Sequence, residues 1–410
     1  MTPLRSHHEK STALIRGSLD LLEDRLDGSG EGQALATRGW REFLLGFDDA
    51  QLDAIECRGL EATWPEHTPA SLCALLALTR EVCALPRLDL IDVNGAAVST
   101  KARRHEAPRK QAQIDAFARL ALPLTMRARR VLDVGSGHGH LTREIAARLG
   151  AEGAPSSVLS VVGIERDPLL AARARALAGP SGITFATTDV VRDGVPLTSD
   201  DCILGLHACG ELGDAMAAAA ARVGAAVVLV GCCLQKRRSD ARAPLASGTG
   251  AAALPRAMLG LSNLTLRDDG VEAPRAENLA ARERRLALRW LLERAGERVA
   301  FGAEIKGLNR RAAHLELSAL VTRAFASREL PLPTAQAIDD ASAWARVHHA
   351  RARRLQLPRT ILARALEVHV LLDRALHLEQ RGHPVTVGLA FSAAVSARNL
   401  ALVAGARCQR

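Results

Sequence analysis

The stretch Val131-Leu-Asp-Val-Gly-Ser-Gly-His-Gly-His140 decides the reading of this chain. A short apolar strand, Val131 to Val134, carries Asp133 and runs straight into glycines at 135, 137 and 139. Glycine at alternate positions lets the backbone turn sharply and approach a ligand with no Cβ in the way. The helix predicted to open at His140 presents unpaired N–H groups to whatever lies there. A dinucleotide fingerprint spaces its glycines GxGxxG. Here the third glycine comes one residue early and His140 takes its slot, which disfavours a nicotinamide cofactor.

Working outward, the downstream pattern alternates apolar runs with helical periodicity, the signature of a parallel sheet with crossover helices. A helix is predicted over His140 to Leu149, a second strand over Val158 to Ile164, and a helix over Pro168 to Leu177. A third strand follows at Ile183 to Thr187, a fourth at Cys202 to Leu206, a helix at Leu212 to Val223, and a fifth strand at Ala226 to Val230. The alternation then stops. Residues 236–358 read as a helical insert without strands, with helices at Ala280 to Ala295 and Arg310 to Phe325. A helix from Thr360 to Gln380 leads to strands at Val385 to Leu389 and Leu400 to Val403. These are too close for a parallel crossover and must pair as an antiparallel hairpin. Upstream, residues 1–100 read as helical with no catalytic motif, followed by a basic run and a helix at Gln111 to Leu122. The expected organisation is an N-terminal helical region (1–100), the first part of a Rossmann-like α/β core (101–235), the insert (236–358), and the completion of the core (359–410). Five parallel strands with a terminal hairpin have the outline of a class I methyltransferase sheet.

Composition constrains the partners. The chain is 48% hydrophobic and 24% charged, ordinary for a globular protein. Its net charge of +9 and pI near 9.6 favour an anionic partner such as RNA. The richness in arginine and alanine and the lack of tyrosine point equally to a base-composition bias in the gene. No apolar signal segment follows the N-terminus, and no window approaches the ~18 apolar residues of a membrane span. A cytoplasmic location with no membrane contact is expected. The eight cysteines form no CxxC pair and are expected to be free thiols.

In an open parallel sheet, chemistry gathers beyond the carboxyl ends of the strands. Gly135, Ser136, Gly137 and Gly139, with Asp133 before them, are the expected cradle of a cofactor. Glu165, at the tip of strand two, is placed to accept both hydroxyl hydrogens of a ribose, and Asp189, beyond strand three, to meet an adenine amino group. Leu206 at the end of strand four completes the set. Strand four then delivers His207-Ala-Cys209-Gly210-Glu211, and strand five delivers Gly231-Cys232-Cys233-Leu-Gln-Lys236. His207 is a candidate general base or acceptor-orienting group, with Glu211 behind it; it reads equally as a packed residue bonded to a carbonyl. Cys209, Cys232 and Cys233 read as small buried hydrophobes. With His207 they offer metal-ligand chemistry, but adjacent cysteines share one tetrahedral zinc poorly, so no metal is expected. Lys101, Arg103, Arg104, Arg109, Lys110 and Lys236 to Arg238 are candidates for an anionic substrate surface, or else a solvated face. No Pro-Pro-aromatic turn follows strand four, which disfavours methylation of an adenine amino group.

Several of these residues carry a family resemblance. Asp133-Val-Gly-Ser-Gly-His-Gly-His-Leu141, Gly205-Leu-His-Ala-Cys-Gly210 and Gly231-Cys-Cys233 resemble the methyltransferase-like proteins once named for a ribosomal-RNA adenine dimethylase domain. His105-Glu106 looks like that family's basic His-Glu element, which adds His105 to the substrate-binding candidates. Leu371-Leu-Asp-Arg374 and Ser396-Ala-Arg-Asn-Leu400 resemble its closing segment. Ala102 and His138 stand where that family usually has basic residues. The histidine-cysteine-glycine turn and the Cys-Cys pair are also similar to tRNA ribose 2′-O-methyltransferases. The resemblance implies S-adenosylmethionine as cofactor and RNA, tRNA or rRNA, as acceptor. A protein or small-molecule acceptor, or a non-catalytic cofactor-binding module, are the alternatives.

Overall fold

The computed structural model describes residues 2–24, 32–88, 108–153, 160–179, 182–264, 274–299 and 302–407. The strands, in chain order, are β1 (Arg130–Val134), β2 (Ser160–Glu165), β3 (Thr184–Thr187), β4 (Asp201–Ala208), β5 (Ala226–Gly231), β6 (Ala241–Arg242), β7 (Leu254–Pro255), β8 (Val385–Leu389) and β9 (Leu400–Ala404). Seven of them form one sheet in the order β3-β2-β1-β4-β5-β9-β8. β1 to β5 are parallel, while β9 runs antiparallel to both β5 and β8. This is a Rossmann-like parallel sheet closed by an antiparallel pair. The switch in strand order lies at β1, whose neighbours are β2 and β4, so the crevice that binds ligands in such sheets opens beyond the glycine loop.

The sequence explains why these strands are central. β5 reads Ala-Val-Val-Leu-Val-Gly with every residue but the last buried, as a strand covered on both faces requires. The core beneath joins Val131, Cys202, Leu204, Val228, Val230 and Ala401 of the sheet to Phe117 and Ile145 of two flanking helices. Burying a Val, Leu, Ile or Phe side chain stabilises by roughly 1.5–3 kcal/mol. Those helices, Pro108–Thr125 and His140–Ala151, are also pinned by Arg148. Its guanidinium donates to Glu144 at 2.7 Å and to Asp115 at 2.9 Å. Helix Glu211–Val223 presents Met216, Ala217, Ala220 and Ala221 to the sheet and ends at Gly224, whose left-handed φ of 86° stops it.

The chain divides into two compact units, and the boundaries differ from those expected of the sequence. The sheet-bearing unit comprises Met1–Gly17, Glu81–Asn263 and Arg364–Arg410; the other comprises Ser18–Arg80 and Leu264–Ala363. The first helix, Pro3–Arg16, thus belongs with the sheet: Ser11 bonds His369 at 2.9 Å and His8 stacks on the same ring. The span read as a helical insert also holds a strand pair, β6–β7, and residues up to Asn263 belong with the sheet. The helix expected from Thr360 starts far earlier and runs Ala335–Glu379. Pro358 lies within it and has no N–H to give to the helix ladder.

The second unit is helical. Leu288, Leu291 and Leu292 of helix Arg275–Arg294 pack on Leu320, Val321 and Phe325 of helix Leu317–Ala326. Its charges are largely spent internally: Arg353 pairs with Asp53 and Glu56, both at 2.6 Å, and Arg354 with Asp49 at 2.7 Å. Residues 18–80 sum to −7 and 264–363 to +6, so this unit is near neutral and the sheet-bearing unit carries +10. Among the described residues, no helix is long and apolar enough to cross a membrane.

Candidate active-site cleft

An open cleft of about 450 Å³ lies beyond the carboxyl ends of β1, β2, β3 and β4. Of the residues singled out in the sequence, it gathers Gly135, Glu165, Asp189, His207, Glu211 and Lys236. Cys209, Arg237 and Arg238, also singled out there, line it as well.

The glycine loop is wired to β2. Gly135 and Ser136 both donate their N–H to the Ile164 carbonyl, at 2.8 and 3.1 Å. Gly137 N–H donates to Glu165 Oε2 at 2.9 Å, and Asp167 N–H to Glu165 Oε1 at 3.0 Å. Gly135, Gly137 and Gly139 all have positive φ, at 76°, 55° and 73°. At Gly139 a Cβ would also stand 2.6 Å from the Phe185 ring, so the position is closed to any side chain. Ser136 Oγ is buried and has no hydrogen-bond partner among the described residues.

Ser136, Gly137 and Gly139 are not part of the cleft lining, and three further expected cofactor contacts sit differently. Asp133 is 2% exposed and does not line the cleft. Its Oδ2 accepts from Thr142 Oγ at 2.6 Å, and burial pushes its pKa up to about 6 against that hydrogen bond. Asp133 therefore ties β1 to the following helix and shapes the loop from beneath. Leu206 packs toward the hydrophobic core and is not part of the lining. Asp189 lines the cleft but is already engaged. One oxygen caps the short helix Val190–Asp193, accepting from Val191 N–H at 3.2 Å, and the other pairs with Arg238 at 2.7 Å.

His207 occupies a register shift between β4 and β5, with a left-handed φ of 65°. The bulge aims its ring at the cleft instead of along the sheet. Its Nε2 meets Gln113 Oε1 at 2.9 Å. With the amide oxygen facing it, Nε2 carries the proton and Nδ1 is left as an acceptor. Burial, reinforced by the charges of Lys110, Arg109 and Arg398, pulls its pKa down to about 4. The ring is thus neutral at pH 7 and a weaker base than its ordinary value suggested. Glu211 opens the next helix, and its Oε2 accepts from Arg238 N–H at 2.9 Å, fixing the loop after β5.

The loops after β4 and β5 touch directly. Glu211 N–H donates to the Lys236 carbonyl at 3.1 Å. Gly210, at φ 50°, lies under that carbonyl so closely that a Cβ would collide with it. The free-thiol expectation fails here: Cys209 and Cys232 are disulfide-bonded, bridging the two loops, because the bulge turns Cys209 toward the end of β5. Cys233 stays a free thiol, half-buried beside them.

The C-terminal segment braces both loops, which sequence reasoning did not assign. Arg374 donates to the Gly210 carbonyl at 2.8 Å and to Asp214 at 2.8 Å. Arg398 donates to the Cys232 carbonyl at 3.0 Å and pairs with Glu367. Arg242, from β6, joins Asp214 to Asp373 at 3.0 and 2.7 Å. Burial would raise the Asp214 pKa, but Arg374 and Arg242 win and hold it at about 2. The available signal was the pair of motifs Leu371–Arg374 and Ser396–Leu400. Of the basic candidates, Lys101, Arg103, Arg104 and His105 lie outside the described residues.

Residues 109–239 match the family model described as a methyltransferase domain. That span runs from the helix before β1 to the loop after β5 and includes every cleft-lining residue. The chain therefore carries a methyltransferase domain. No curated protein matches it.

Proposed function

We propose that the protein transfers a methyl group from S-adenosylmethionine to RNA. The observation that carries this reading is one cleft lined by Gly135 of the glycine loop and Glu165 together with His207 and Lys236 to Arg238. The residues fit the cofactor. Ser136 Oγ is an orphaned buried hydroxyl in the loop. Each Glu165 oxygen accepts one backbone N–H and keeps a lone pair for a ribose hydroxyl. Gly135 lines the cleft with no side chain of its own, leaving room beside Leu212.

When bound, S-adenosylmethionine supplies an activated methyl group on a sulfonium. What this chain's residues contribute is placement. Glu165 and the loop from Gly135 to Gly139 hold the cofactor end. Neutral His207 offers Nδ1 to orient a hydroxyl or amine acceptor. It is a weak proton store, so it acts mainly as an orienting group. Lys236 and Arg238 line the same cleft and suit a phosphate-bearing acceptor. The +10 charge of the sheet-bearing unit, undiluted by the near-neutral second unit, supports an anionic acceptor over a neutral small molecule.

Titration calorimetry with S-adenosylmethionine and S-adenosylhomocysteine, with NAD as control, tests the cofactor. Binding of the first two and not of NAD is expected. Labelled methyl donor with total RNA then tests the acceptor. Cofactor binding without incorporation into RNA would favour a protein acceptor or a non-catalytic module. No binding of either cofactor form overturns the reading.

A further inference from the structure

One wall of the cleft holds a chemistry that methyl transfer does not use. The sulfurs of Cys209, Cys232 and Cys233 all lie within 4.8 Å of one another. Cys209 and Cys232 are bonded across the loops after β4 and β5, with Cα atoms 5.1 Å apart, inside the usual disulfide range. Cys209 lines the cleft and meets small molecules that enter it, whereas Cys232 is 9% exposed. Cys233 is the third sulfur, free and half-buried. The carbonyl of His207 lies 3.2 Å from the Cys209 sulfur and 3.4 Å from that of Cys232, so the bond closes directly against the His207 bulge.

We propose that these three cysteines form a thiol–disulfide exchange site that takes low-molecular-weight thiols and disulfides as its partners. Cys209 is the entry thiol, and either Cys232 or Cys233 resolves it. Starting from three thiols, the Cys209 thiolate attacks one sulfur of a small disulfide. A mixed disulfide forms and one small thiolate leaves. The Cys232 thiolate then attacks Cys209 Sγ, and the second small thiolate leaves. The two protein thiols together lose two electrons and two protons, and the small disulfide gains them as two thiols. A small thiol entering the cleft runs the sequence backwards. Cys233 gives a second closure, Cys209–Cys233, by the same step. Closing either bond fixes the loop that follows His207 against the end of β5, so the thiol state of the site is transmitted to the cleft.

The remaining described cysteines serve as internal controls. Burial pushes the thiols of Cys83 and Cys202 up to about 12, which leaves them unreactive near neutrality. Cys57 and Cys73 are exposed.

The experiment uses the full chain, fully reduced and then treated with glutathione disulfide, with peptide mapping by mass spectrometry. The wild type is expected to form the Cys209–Cys232 crosslink and to release glutathione from it. Cys232→Ser should close through Cys233 instead. The double variant Cys232→Ser/Cys233→Ser should retain glutathione on Cys209, as Cys57 and Cys73 do for want of a resolving thiol. A Cys209 that stays alkylatable in all three proteins overturns the proposal. So does a Cys232→Ser protein that forms no Cys209–Cys233 bond while its circular dichroism matches the wild type.

The link to the cleft rests on the cofactor reading and is read separately, by calorimetry with S-adenosylhomocysteine. Affinity at least fivefold weaker in the crosslinked protein is expected. Equal affinity in both states overturns the link but not the exchange chemistry. No affinity in either state counts against the cofactor reading alone.

Discussion

Arg374 places its guanidinium 2.8 Å from the carbonyl oxygen of Gly210, in the turn between β4 and the helix that follows, although 164 residues separate the two in the chain. The same side chain pairs with Asp214 one turn into that helix. The turn that follows His207 and carries Cys209 is therefore set by a residue of the helix Ala335–Glu379, not by local sequence alone.

Replacing Arg374 with alanine leaves Asp214 with Arg242 and Arg237 alone, and the Gly210 carbonyl with only the longer bond, 3.4 Å, from Asp214 N–H. Removing one partner of a buried ion pair costs about 3–5 kcal/mol. Thermal unfolding of Arg374→Ala should show a loss of that order. Arg374→Lys should recover part of it, since lysine restores the charge but not the two-armed contact. A melting temperature equal to the wild type in Arg374→Ala would show that the brace contributes nothing.

Gly137→Val tests the glycine loop. Among the described residues, no atom beyond the chain neighbours of Gly137 lies within 4 Å of a Cβ built there. The cost of the variant is the φ of 55°, which a β-branched residue resists by about 1–3 kcal/mol. Distorting the loop should cost at least tenfold in S-adenosylhomocysteine affinity while circular dichroism stays unchanged. Unaltered affinity would separate the loop from ligand binding.

Acid should destabilise the protein before most of its carboxylates titrate. The pKa values of His140, His207 and His349 are lowered to about 4 and that of His369 to about 3, in each case chiefly by burial. Above pH 6.5 these rings are neutral in both folded and unfolded chains and contribute no pH dependence. Below 6.5 the unfolded chain takes up protons that the folded one refuses, so stability falls as pH drops from 6.5 to 4. Asp133, raised to about 6, acts in the opposite sense, gaining stability as pH falls from 6 toward 3.8, but it is one group against four. Denaturant midpoints between pH 7 and 4 should decline, and His369→Gln should flatten the curve. An NMR titration of His207 should show a midpoint near 4.

Lys236→Glu and Arg238→Gln address the acceptor. Each removes a cation from the cleft wall. If the acceptor is RNA, each variant should weaken RNA binding and reduce the slope of log affinity against log salt by about one. Arg238→Gln also frees Asp189, whose outer oxygen it holds at 2.7 Å, so cofactor affinity should be measured beside it. RNA binding with wild-type strength and salt slope in both variants would move the acceptor surface elsewhere.

The sheet was legible in the chain before any packing was known. Val131 to Val134, Ala226 to Val230 and the terminal pair Val385 to Leu389 and Leu400 to Val403 declare themselves because strand burial leaves a period and a composition in the chain. The glycine loop and Glu165 were legible for the same reason: their roles depend on immediate neighbours, a turn and a strand tip. Tertiary structure decided what depends on distant partners. Burial of Asp133 under Thr142, the neutral state of His207 beside Gln113 and three cations, and the joining of Cys209 to Cys232 follow from packing across elements. Arg374 and Arg398 became visible as braces only when the C-terminal helix and β9 were laid beside β4 and β5. Local patterns encode burial and turning, whereas long-range electrostatics and covalent pairing depend on distances that only the folded chain sets.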